Sequence, residues 1–176
     1  MSKDKKQASV ASRMLRHLAF THAAARRAFP SATLKAIQAS IAAGERQHRA
    51  QVRVIVEASL SLGAVWRYET SRQRAHELFA RYRIWDTEEN CGVLAYINLA
   101  DHKVEIVADR GVSRLVTRQQ WQQVCAAMTA GYARGDYHDS TLQALAMLHD
   151  VLAHAMPHSD GEAKGGNELS DKPLLL

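Results

Sequence analysis

Side chains able to do chemistry gather most densely at Trp85-Asp86-Thr87-Glu88-Glu89-Asn90, and a second short polar run, Asp109-Arg110-Gly111, follows downstream. Carboxylates together with an amide oxygen form an all-oxygen donor set, which suits a hard cation such as Ca²⁺ or Mg²⁺ and not zinc. The planar fork of Arg110 can grip a phosphate or a carboxylate. The spacing is not that of an EF-hand loop. Two plainer readings therefore stand beside a metal site: a solvated acidic loop, and a local Asp-Arg salt bridge worth under about 1 kcal/mol. Glu57, Asp101 and His102 form a second candidate set. His48, His76 and His102 lack ligand spacing and are expected at the surface or in hydrogen bonds. Ser59 and Ser61 have no nucleophile elbow, and no glycine-rich phosphate loop is present. Cys91 and Cys125 sit in apolar settings without metal or redox spacing, as small buried hydrophobes do.

The elements that must position these groups follow from the apolar period. A basic helix is expected over about residues 10–28, and Pro30 ends it. A second helix, over about 32–46, carries Leu34, Ile37 and Ile41, with Ser31 or Thr33 available as its cap. From Gln51 to Glu57 the spacing becomes strict alternation, with Val52, Val54 and Val56 on one side and Arg53, Ile55 and Glu57 on the other. That is a strand. Ala75, Leu78, Phe79 and Tyr82 restore the helical period behind Thr70 or Ser71. The apolar run Cys91–Leu99 is too short for a good helix and reads as a central strand covered on both faces. Val104–Val107 reads as its hairpin partner. Thr117-Arg118-Gln119-Gln120 is a capping box ahead of Trp121, Val124, Cys125 and Met128. A last helix starts near Asp139 or Ser140 and ends before Pro157.

One crossover and one hairpin give a small mixed sheet with helices on both faces, a three-layer α/β/α sandwich with extra N-terminal helices. In that topology the start of the central strand lies beside the end of the hairpin's second strand. Asp86, Glu88, Glu89 and Asn90 then meet Asp109 and Arg110 on one rim. The parallel crossover places Glu57 near Asp101 and His102 on the opposite rim.

Length and charge bound the partners. The chain has 176 residues, 47% apolar and 23% charged, which fits one domain with a sizeable core. The net charge of +5 is uneven: residues 1–54 hold 11 basic and 2 acidic side chains, whereas 55–110 hold 7 and 9 and 111–176 hold 5 and 7. A specific nucleic-acid interface over the whole domain is therefore not expected. The basic N-terminal helix, with Lys3, Lys5, Lys6, Arg13, Arg16, Arg26 and Arg27, is instead a candidate contact for an anionic membrane surface or a protein partner. Arg16, His17, His22, Arg26 and Arg27 interrupt any signal-like apolar stretch, so the chain is expected to be cytoplasmic, either free or membrane-peripheral. Residues 1–28 are expected to form the basic segment, 29–157 the α/β domain and 158–176 a flexible tail.

The stretch Trp85–Leu94, continued by Val104–Gly111, resembles the TPM domain family, which includes the plant thylakoid acid phosphatase and bacterial membrane-associated relatives. The likeness extends upstream through Arg27-Ala28-Phe29-Pro30, Glu45, His48, Arg53 and Glu57 and downstream to Trp121 and Pro157, over roughly residues 26–157. It implies a compact α/β/α sandwich, divalent-cation binding in some members, and weak acid phosphatase activity on phosphate monoesters in some but not others. Carried onto this chain, the resemblance nominates Asp86, Asn90 and Asp109 as metal ligands, then Glu57, with Arg110 as the anion holder. Two departures stand out: Ala50-Gln51 where similar sequences have Gly-Glu, and Asn90-Cys91-Gly92 where they have Asn-Asn-Gly.

Overall fold

The computed structural model describes residues 2–158 and 167–176, with side chains from residue 10 onward in those ranges. Two strands form the parallel centre of the sheet. β1 (Gln51–Glu57) pairs with β2 (Gly92–Asn98) in register from Gln51 opposite Gly92 to Glu57 opposite Asn98. β3 (Lys103–Ala108) runs antiparallel to β2, from Val93 opposite Ala108 to Asn98 opposite Lys103. β2 is buried along its whole length, as its unbroken apolar run requires.

The alternation in β1 divides the core as its sequence dictates. Val52, Val54 and Val56 face one cluster together with Ile37, Val124, Leu145 and Leu148. Ile55 faces the other, with Ala75, Leu78, Ile84 and Leu94. The first layer is built by α3 (Ser31–Gly44), α7 (Arg118–Tyr132) and α8 (His138–Ala155), and the opposite layer by α5 (Ser71–Arg81). The three-layer α/β/α architecture is thus present. Thr70 and Thr117 each close a reciprocal capping box with Gln73 and Gln120. α3 differs: its N-cap is Pro30, with no side-chain cap, so neither Ser31 nor Thr33 has the capping role.

The single basic helix expected over 10–28 is two helices, α1 (Ser2–Ala19) and α2 (His22–Ala28). Thr21 accounts for the break, since its hydroxyl accepts the Ala24 N–H and starts a new helix. Short helices α4 (Leu62–Trp66) and α6 (Arg110–Ser113) fill loops too brief to show a period. His48 and His149 are buried and hydrogen-bonded to each other at 2.9 Å with stacked rings. Burial pushes both down to about 4, so the pair is neutral at pH 7. Cys91 and Cys125 are free, and burial pushes the Cys125 thiol up to about 11.

The largest departure is at the C-terminal end. Residues 158–176 were expected as a flexible tail, yet Leu174–Leu175 form β4, which pairs parallel with β1 and extends the order to β3-β2-β1-β4. The physical cause is the free edge of β1: Leu176 N–H donates to Val56 O at 2.8 Å, and Ala58 N–H donates to Leu176 O at 3.0 Å. Leu169, Leu174 and Leu176 also pack on the second cluster. Residues 159–166 lie outside the described residues. Deleting Leu174–Leu176 is expected to lower the unfolding free energy by roughly 2–4 kcal/mol, from lost edge hydrogen bonds and apolar burial. Urea unfolding measures this directly, and an unchanged midpoint would show that β4 contributes nothing.

Candidate functional site

The register of β2 against β3 brings the two polar runs together at the rim where β2 begins. Asp109 N–H donates to Gly92 O at 2.9 Å and Gly111 N–H to Asn90 O at 3.0 Å. Gly111 is needed for this approach, and Gly92 for the packing of the start of β2 on Ile84. A Cβ on Gly111 would lie 2.6 Å from the Asn90 carbonyl oxygen and 2.7 Å from that of Glu89, and one on Gly92 would lie 1.8 Å from the Ile84 carbonyl oxygen. Asn90 turns the chain with φ of 53°, a left-handed conformation that asparagine tolerates better than most residues.

Glu89, Asn90, Arg110, Gly111 and Arg114 line a pocket of about 300 Å³ at this rim. Asp109 precedes the lining residue Arg110 and caps α6, where one carboxylate oxygen, Oδ1, accepts the Arg110 N–H at 2.7 Å. The other, Oδ2, is buried and has no hydrogen-bond partner. A buried oxygen of this kind is uncommon, because the lost solvation is not replaced. Two of the remaining acids are committed elsewhere. Asp86 is exposed and pairs with Arg83 at 2.8 Å, and Glu89 pairs with Arg49 at 2.7 Å. Glu88 is exposed, and its N–H donates to the Glu168 carboxylate at 2.8 Å. Among the described residues no three His, Cys, Asp or Glu side chains are grouped as a metal shell. The side-chain oxygens of this rim whose chemistry suits a hard cation belong to Asp109, Asn90 and Glu89, the last two of which line the pocket.

Glu57 does not belong to this set. It lies opposite Asn98, six residues along β2 from Gly92, which at strand rise is about 20 Å away. There it is fully partnered: Arg74 donates to both of its oxygens, at 2.6 Å for the shortest contact, and the Tyr96 hydroxyl donates at 2.5 Å. Burial beside this carboxylate pushes the Tyr96 hydroxyl well above its ordinary range. Asp101, on the same rim, is equally saturated. Arg13 reaches it with two nitrogens, at 2.9 and 2.6 Å, and Ser71 donates at 3.3 Å. Leu60 N–H donates to His17 Nδ1, so Nε2 carries the ring hydrogen toward Asp101 at 3.1 Å. Burial alone would raise the Asp101 carboxyl, but the Arg13 and His17 hydrogen bonds outweigh it and hold the group at about 2. These carboxylates clamp α1 and α5 to the sheet and leave no lone pair for a ligand. His102 adopts φ of 50° and sets its ring edge-on to Phe20, a packing role.

Sequence reasoning missed several participants. Arg114 lines the pocket from the end of α6, an element too short to announce itself. Gln51, the position where a carboxylate is expected, instead accepts the N–H groups of Glu168 and Leu169 at 3.0 and 3.2 Å. An amide there anchors the C-terminal segment. Glu45 accepts the Val52 N–H at 2.6 Å, and burial raises its carboxyl to about 7. A larger cavity, about 660 Å³, lies between β3 and α7 and holds none of the predicted site residues.

A model of the TPM domain family matches residues 25–151. The chain belongs to the TPM domain family. The TPM fold here is also similar to a solved structure, the NMR structure of BA42 protein from the psychrophilic bacterium Bizionia argentinensis. The two share 20% identity at a TM-score of 0.71, over 84% of this chain and 94% of that one. No curated protein matches the sequence. Among the described residues no helix is long and apolar enough to cross a membrane.

Asp101 tests the division of labour between the rims. Its depressed carboxyl contributes stability that is complete above the unfolded value near pH 4 and fades as the pH falls toward 2. Asp101→Asn is expected to cost about 2 kcal/mol at pH 7, with the gap from the parent narrowing between pH 4 and 2. Denaturant unfolding across that window reads it, and a cost independent of pH would contradict the charge-based clamp.

Proposed function

We propose that this TPM domain is a divalent-cation-binding module, with Ca²⁺ or Mg²⁺ taken at the rim of Asp109 and Asn90. The observation that carries the reading is the buried, unpartnered Oδ2 of Asp109. A hard cation would replace the missing partner, the Asn90 amide oxygen would add a neutral ligand, and water would complete the shell. Asp86 and Glu89 are outer members of the set, since each would have to leave Arg83 or Arg49 to contribute. Arg110 and Arg114 place two positive groups on the same pocket, which favours an anion alongside the cation. On this reading the domain binds or maintains a partner and does not turn over a substrate.

A weak phosphatase acting on small phosphate monoesters is the second reading, and the two arginines favour it. A bound cation would polarise the phosphoryl group and acidify a water. The arginines would orient the phosphate oxygens and stabilise charge on them.

Calorimetric titration with Ca²⁺ and with Mg²⁺ separates these readings when run on the parent and on Asp109→Asn. Asparagine caps a helix about as well as aspartate, so the variant keeps its α6 cap while losing the charge. The parent is expected to bind, and the variant to bind at least about tenfold more weakly, the loss of one charged ligand. Equal affinity in both would remove the site. Cation-dependent hydrolysis of a generic phosphate monoester at acidic or neutral pH, lost in Asp109→Asn, would promote the enzyme over the binding module.

A further inference from the structure

We propose that the outer face of α1 and α4 docks on an anionic lipid surface. Five of the seven large apolar side chains left exposed among the described residues lie on these elements: Leu15 and Leu18 on α1, Leu62 and Trp66 on α4, and Tyr68 just after it. Leu15, Leu18 and Trp66 are 66%, 58% and 68% exposed. Single exposed apolar residues are ordinary, but four on two helices packed against each other, with Tyr68 directly after the second, make a surface.

α1 is not short of a core to bury itself in. Met14 packs on Leu60, Ala64 and Val65, and His17 and Arg13 lock the helix to Asp101. A helix whose only partner were its own domain would carry polar residues at 15 and 18, on the side turned away from that contact. Trp66 and Tyr68 are the residue types that settle at a membrane–water boundary, one end apolar and one end polar.

The charge around the face selects the lipid. No Asp or Glu occurs between Lys5 and Gly44, while Arg16, whose guanidinium also lies 3.9 Å from Asp101, and Arg67 are exposed beside the apolar residues, and Arg26 and Arg27 are exposed on α2. Cations flanking an apolar stripe match a surface of phosphate headgroups over acyl chains. A nucleic-acid backbone would satisfy the arginines but give the leucines nothing to bury against. α1 precedes the residues matched by the TPM family and α4 lies within them; α1 is tied to Asp101, on the rim opposite Asn90 and Asp109, which separates this surface from the cation site.

The full chain is tested by co-sedimentation with vesicles of phosphatidylcholine alone and with roughly 30% phosphatidylglycerol added, at low salt and at about 0.5 M salt. Binding is expected to the anionic vesicles, to fall at high salt, and to drop about tenfold or more in Leu15→Gln/Leu18→Gln/Trp66→Gln. These positions are exposed, and an unchanged circular dichroism melt will confirm that the variant folds. Absence of parent binding, or equal pelleting of parent and variant, would overturn the proposal. So would a dimer in light scattering that the triple variant dissolves, because a second copy of the chain would then be what covers the face.

Discussion

The pairing of β2 on both of its edges is the constraint on which the rest of the molecule depends. Its parallel register with β1 and antiparallel register with β3 fix which residues stand at each end of the sheet. One end receives Asn90 and Asp109, and the other receives Glu57, Asn98 and Asp101. A slip of one residue would turn every side chain of the strand to the opposite face and separate Asn90 from Gly111. Gly111 permits the close approach to Asn90, and Gly92 lets the start of β2 pack on the Ile84 backbone, since neither contact leaves room for a Cβ.

The two rims have the same raw materials and opposite outcomes. At the Glu57 rim, arginines, a tyrosine, a serine and a histidine occupy the carboxylate oxygens and tie α1 and α5 to the sheet. Buried carboxylates so thoroughly bonded hold structure. At the Asp109 rim, one oxygen caps a short helix and the other is left without a partner, beside a pocket carrying two arginines. What separates a clamp from a candidate binding site is thus the count of donors delivered to each carboxylate, not the number of acids nearby.

That count is why the fold was legible in the sequence and the site only partly so. The alternation of Gln51–Glu57 and the unbroken run of β2 reflect burial on one or both faces, a property each strand carries locally. The capping boxes at Thr70 and Thr117 involve residues three apart and are equally local. The rim juxtaposition of Asn90 with Asp109 followed from topology alone. Glu57 was placed on the far rim by the same topology, yet the family resemblance kept it as a metal ligand, a role the Arg74 and Tyr96 contacts leave no oxygen to fill. β4 was illegible because a two-residue strand has no period, and its pairing depends on an edge formed over a hundred residues earlier. The His48–His149 pair and the unpartnered Oδ2 of Asp109 are likewise tertiary facts.

On the proposed function, ligand binding belongs to the Asn90–Asp109 rim and not to the Glu57–Asp101 rim. Amide chemical-shift mapping by NMR during addition of Mg²⁺ or Ca²⁺ tests it most directly. Saturable shifts are expected at Asn90, Asp109, Arg110 and Gly111, with Glu57, Asn98 and Asp101 unmoved. Shifts centred on the Glu57–Asp101 network, with the Asn90–Gly111 amides silent, would contradict it.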